Sequence, residues 1–73
     1  MNKLQLAATT KDPDVRWNVA ENPNTKQETL DVLSRDEYAY VRGRVAVNPN
    51  CSERAYKYIK GLELLKSLSK MST

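Results

Sequence analysis

Apolar residues along this chain recur at helical spacing, and they do so twice in nearly the same words. Val15, Val19 and Ala20 stand at i, i+4 and i+5 within "VRWNVAENPN", and Val41, Val45 and Ala46 take the same places within "VRGRVAVNPN". That spacing puts a narrow apolar stripe on one side of an α-helix. Asp12 offers an N-cap oxygen, Pro13 suits the first helical position, and Asp14 meets the positive end of the helix dipole. Asp36 is the expected cap of the second such helix. A residue before proline is driven out of the helical region, so "ENPN" and "VNPN" stop the two helices. Leu30 and Leu33 form the ridge of a further helix, for which Thr25 and Glu28 have the spacing of a capping box. Asn50 and Glu53 offer the same device shifted by one residue, with Tyr56 and Ile59 standing where Leu30 and Leu33 stood. No stretch alternates long enough for a strand, so the expected fold class is all-α.

The two phrases lie 26 residues apart, and the offset extends to Leu4 with Leu30 and Ala7 with Leu33. Self-similarity at such a period signals a stacked repeat. The expected organisation is a single domain, 1–73, with repeat 1 at about 4–29, repeat 2 at about 30–55 and a C-terminal capping helix at about 52–69. Stacked units bury apolar surface only against neighbours, so two units need closure. In "SERAYKYIKGLELLKSLSKMS", Ala55, Ile59 and Leu62 begin an apolar stripe that Leu65, Leu68 and Met71 continue, with Tyr58 and Leu64 widening it. The segment is expected to pack back on the second repeat. The competing expectation is that its distal half pairs with another helix, with Leu65, Leu68 and Met71 as homo-oligomer contacts. Gly61 then marks a bend or a close helix approach.

The second unit, "LDVLSRDEYAYVRGRVAVNPN", and the first, "LQLAATTKDPDVRWNVAENPN", resemble the leucine-rich repeat variant family, a relative of HEAT-like α-solenoids. The likeness runs over about residues 4–59 and rests on an L-x-x-L pair, an acidic turn, "VRxxVA" and "NP". It implies a short right-handed α-solenoid that serves as a binding scaffold. Some members hold an iron–sulfur centre in an N-terminal cysteine cluster. Cys51 is the one cysteine here, so that cofactor does not carry over and none is expected. Ala7, where the pattern wants a larger apolar residue, suits an end-capping first unit.

Composition narrows the chemistry. The 73 residues contain no histidine, which excludes Ser-His-Asp and Cys-His catalysis and histidine-ligated zinc. A single cysteine excludes an internal disulfide. Cys51 at a helix start is conceivable as a reactive thiol, but it reads better as a tolerated small residue. No carboxylate pair stands at a defensible catalytic spacing, and Gly43 and Gly61 are the only glycines, so a Gly-rich phosphate loop is absent. The expectation is a non-enzyme. The start "MNKLQLAATT" lacks an apolar run suited to a signal peptide, and no segment approaches the roughly 20 apolar residues of a membrane helix. A reducing, cytoplasmic setting with no membrane partner is expected.

The differences between the two phrases point to partners. A step of two residues turns about 200° around a helix, so the two x positions of "VRxxVA" face away from the stack. Trp17 and Asn18 hold them first, Gly43 and Arg44 second. Trp and Arg are favoured interface anchors, although an outward Trp also serves as a lid over its neighbours. Tyr38 and Tyr40 replace Asp12 and Asp14, adding aromatic surface. Trp17, Tyr38, Tyr40 and Arg44 are therefore the candidate partner-binding residues of a protein-binding module, a small adaptor or inhibitor. The alternative is nucleic-acid binding. Net charge is +3 overall, and the basic C-terminal half supplies Arg42, Arg44, Lys57, Lys60, Lys66 and Lys70 for phosphates. Arg42 belongs to the repeated phrase, as Arg16 does, so its expected role is structural: a bridge to an acidic or carbonyl group in the adjacent helix.

Overall fold

The structure, a computed structural model, describes residues 3–71, with side chains through residue 68. Its elements are α1 (Lys3–Ala7), α2 (Pro13–Glu21), α3 (Gln27–Leu33), α4 (Ala39–Val47) and α5 (Glu53–Met71), and no strand occurs among the described residues. The molecule is elongated, 45 × 25 × 14 Å. Its most extensive packing joins α2 to α4 and α4 to α5, while α1 lies against α2 and α3 touches both α2 and α4.

Helix α2 starts as the sequence dictates. Asp12 is its N-cap, its Oδ1 accepts from Asp14 N at 2.9 Å, and Pro13 fills the first turn. Asn22 and Asn48, the residues before Pro23 and Pro49, are extended (ψ 122° and 132°) and end α2 and α4. The other caps differ from expectation. Asp36 lies two residues before the N-cap Tyr38, whose amide donates to Asp36 Oδ1 at 3.0 Å. Thr25 does not form a capping box: it is fully buried and its hydroxyl donates to Val19 O at 2.7 Å. Ser52, not Asn50, caps α5, accepting from Ala55 N at 3.0 Å and donating to Asp31 Oδ1 at 2.8 Å.

The core gathers Ala8, Val19, Ala20, Leu30, Leu33, Val41, Val45 and Ile59, with Leu4, Ala7, Trp17, Ala46 and Cys51 packed around it. Fully burying one such aliphatic side chain contributes about 1.5–3 kcal/mol. In α5 the buried pair is Ala55 and Ile59, whereas Tyr56 stays exposed. The four-residue step keeps Ala55 and Ile59 on one side of the helix, and Tyr56 falls on another.

The apolar stripe of α5 does not continue onto the core. Leu64, Leu65 and Leu68 are 61%, 63% and 52% exposed. The reason is arithmetic: each three-residue step slips back by about 60°, so Leu68 ends about 180° from Ile59. Only the proximal part of α5 packs on the core. Gly61 lies within α5, and a methyl group added there would meet open space within this chain. The side chain of Met71 lies outside the described residues.

Candidate binding surface

Two side chains fix the relative position of α2 and α4 beneath the outward face. Arg16 Nε donates to Asp36 Oδ2 at 2.6 Å and its Nη1 donates to Thr10 O at 2.7 Å. The Arg16 and Asp36 side chains are 11% and 5% exposed. The hydrogen bond to Asp36 holds the guanidinium more basic than usual, against the opposing effect of desolvation. Arg42, 26 residues on, donates from Nη1 to the carbonyl of Asp36, six positions earlier, just as Arg16 does to Thr10. It bridges to the loop before its own helix and has no carboxylate partner among the described residues. Arg42 is thus tied into the fold.

The turns add a second lock. Asn48 Nδ2 donates to Ala20 O at 2.8 Å and to Asn22 O at 3.0 Å. Asn50 Nδ2 donates to Pro23 O at 2.6 Å and to Thr25 O at 3.0 Å. The second Asn-Pro-Asn turn is bonded directly onto the first. No buried side-chain polar atom among the described residues lacks a partner.

On this frame the outward residues converge. Trp17 is half-buried at the rim of the core, as a lid would be, and Arg44 lies over its ring at 5.2 Å from guanidinium carbon to centroid. A desolvated cation over a Trp face contributes up to about 2 kcal/mol, and less where water reaches it. Trp17, Tyr40, Gly43, Arg44 and Val47 line a shallow depression of about 410 Å³. Tyr40 stacks at a tilt on Tyr38, ring centroids 5.3 Å apart, and Arg16 lies over Tyr38 at 5.7 Å. Desolvation, and then the charge of Asp14, pushes the Tyr40 phenol above its ordinary pKa. All four candidate residues therefore occupy one continuous patch.

Val47 was missed by sequence reasoning, yet it is 70% exposed beside Arg44. A signal existed. The two ten-residue phrases differ at three places only: Trp17 against Gly43, Asn18 against Arg44, and Glu21 against Val47. All three second-phrase residues line the depression.

The basic residues do not converge in this way. Lys57 pairs with Glu53 at 3.1 Å, and Lys60 pairs with Glu63 at 3.4 Å and lies over Tyr56. Lys66 is about 180° around α5 from Lys57, so one flat polyanion does not meet both. The side chain of Lys70 lies outside the described residues.

No cluster of three or more potential metal ligands occurs among the described residues. No described helix is long and apolar enough to cross a membrane. No family model, curated protein or solved structure matches this chain.

Proposed function

We propose that this chain is a short right-handed α-solenoid of two 26-residue repeats, of the leucine-rich repeat variant kind, that works as a non-enzymatic protein-binding module. It acts as a small adaptor or inhibitor through Trp17, Tyr38, Tyr40 and Arg44, with Gly43 and Val47 completing the surface. One observation carries the reading: the three positions at which the phrases disagree contribute Gly43, Arg44 and Val47 to a single depression against Trp17. Shared letters serve packing, and the differing ones assemble outside it. A rigid aromatic anchor, a cation and an exposed aliphatic residue around a bare glycine are the components of a protein hot spot, with room for a partner backbone over Gly43.

The test is a tagged pull-down from the native cell, run with and without nuclease, comparing the wild type with Arg44→Glu/Val47→Glu. Both side chains are exposed, so the variant is expected to keep its fold, which a circular dichroism spectrum checks. The reading expects a partner that survives nuclease and whose recovery falls at least tenfold with the variant. A partner lost with nuclease moves the function to nucleic acid. Undiminished recovery with the variant removes the depression from the interface.

A further inference from the structure

Two clefts open between helices that do not pack closely on one another, one between α1 and α3 and one between α3 and α5. The first, of about 200 Å³, is lined by Gln5, Ala8, Thr9, Glu28, Thr29 and Val32. The second, of about 220 Å³, is lined by Asp31, Ser34, Arg35, Arg54, Ala55 and Tyr58. Each residue of the second stands 26 positions after a residue of the first. The same cleft is formed twice, on the two sides of α3.

The floors of the clefts match and their rims differ. Ala8 and Thr29 are buried beneath one, Ser34 and Ala55 beneath the other. The first rim carries Glu28 and the 62% exposed Val32. The second carries Asp31, Arg35, Arg54 and Tyr58. Arg35 lies over the Tyr58 ring, 4.6 Å from guanidinium carbon to centroid, a contact that restricts an otherwise exposed side chain. Neither Arg35 nor Arg54 pairs with a carboxylate among the described residues, whereas Arg16 is held by Asp36. Asp31 Oδ1 accepts from Ser52 Oγ at 2.8 Å. Two arginines against one aspartate leave the second rim positive, and Glu28 makes the first one negative.

We infer that one extended segment of a partner protein lies across α3. Its aliphatic side chain enters the first cleft against Val32, and its aspartate or glutamate enters the second between Arg35 and Arg54. Charge selects this occupant. A single carboxylate balances the second rim through charge-assisted hydrogen bonds, while a polyanion brings further negative charge against Glu28 and Asp31. Size agrees, since each cleft is smaller than the roughly 300 Å³ at which small-molecule pockets begin and has room for one side chain. A helix with its side chains is about 10–12 Å across, a distance that about three or four residues of extended chain span. The two anchors therefore stand about three or four residues apart. The inference rests on the reading of the chain as a protein-binding module, and it adds a surface that shares no residue with the depression around Trp17.

The test is selection from a displayed library of random peptides on the immobilised full chain, followed by titration of the selected peptides by fluorescence anisotropy. The variants are Arg54→Glu and Val32→Glu. Both positions are exposed, and a glutamate suits the first turn of α5, so circular dichroism should show an unchanged helix content. Selected peptides should carry an aspartate or glutamate about three or four residues from an aliphatic residue. Arg54→Glu should weaken their binding at least tenfold. A peptide with lysine in place of its acid should bind that variant better than the wild type, which a lost fold does not produce. Val32→Glu should weaken binding at least threefold. A library without binders overturns the inference, as do selected peptides that lack the pair or bind Arg54→Glu undiminished. Peptides lost only with Arg44→Glu/Val47→Glu bind at the depression, which overturns this inference and leaves the proposed function standing. A poly(U) RNA that binds more tightly than the peptides, and is lost with Arg54→Glu, assigns the second cleft to nucleic acid and overturns it as well.

Discussion

The turns Asn22-Pro23-Asn24 and Asn48-Pro49-Asn50 are the same three letters with different work to do. Both stop a helix, and both close the same internal bond from Oδ1 to the second asparagine's amide. Only the second turn has a neighbour beneath it, and there its two side-chain amides reach four backbone carbonyls. Left unmet, a buried carbonyl costs about 1–3 kcal/mol. The identity of a residue therefore says what it can bond, and its neighbours in the fold say whether it does.

The same contrast runs through other residue types, and substitutions sharpen it. Leu30 is fully buried and Leu65 is 63% exposed. Leu30→Ala should cost about 2–5 kcal/mol, enough to threaten folding in a domain of this size, and Leu65→Ala less than about 0.5 kcal/mol. Chemical denaturation of the two variants checks this, and equal losses would mean that the distal half of α5 is packed. Next come the two arginines of the repeated phrase. Arg16→Gln strands the nearly buried carboxylate of Asp36 and is the more destabilising of the two. Arg42→Gln forfeits a bond to a carbonyl, worth about 0.5–1.5 kcal/mol. Thermal melts should rank them in that order.

The smallest effect concerns Cys51, which stands where the first phrase has the buried Thr25. Desolvation, and then the charge of Asp31, raises its thiol pKa. Less thiolate is present at any given pH, so alkylation by iodoacetamide in mildly alkaline buffer should run slower than for a free thiol in a short peptide. A faster rate would contradict the packing described around residue 51.

Much of this architecture was legible in the sequence. Val41 and Val45, Leu30 and Leu33, and the helix stops at the two prolines follow from periodicity and backbone sterics. The caps were less legible, because Thr25, Asp36 and Asn50 each have a polar group suited to a helix start. Tertiary neighbours redirect them, to Val19 O, to Arg16 and to the first turn respectively. The interlocking of the turns was missed for a related reason: Asn-Pro reads as a stop signal, and that accounts for the asparagines without a partner across the stack. The drift of the α5 leucines needed only the helix period. The patch around Trp17 was half visible, since Arg44 and the tyrosines stand out, but Val47 signals itself only through its mismatch with Glu21.

The second turn, bonded onto the first, holds the layer together. The most direct test of this is one substitution made twice, Asn48→Asp and Asn22→Asp, with stability measured by denaturant unfolding at high dilution. Each aspartate preserves the internal Oδ1 bond, and only at position 48 does it place a carboxylate against the Ala20 and Asn22 carbonyls. Asn48→Asp should lose about 2–4 kcal/mol, and Asn22→Asp less than about 1 kcal/mol. Equal effects at the two positions would contradict the account.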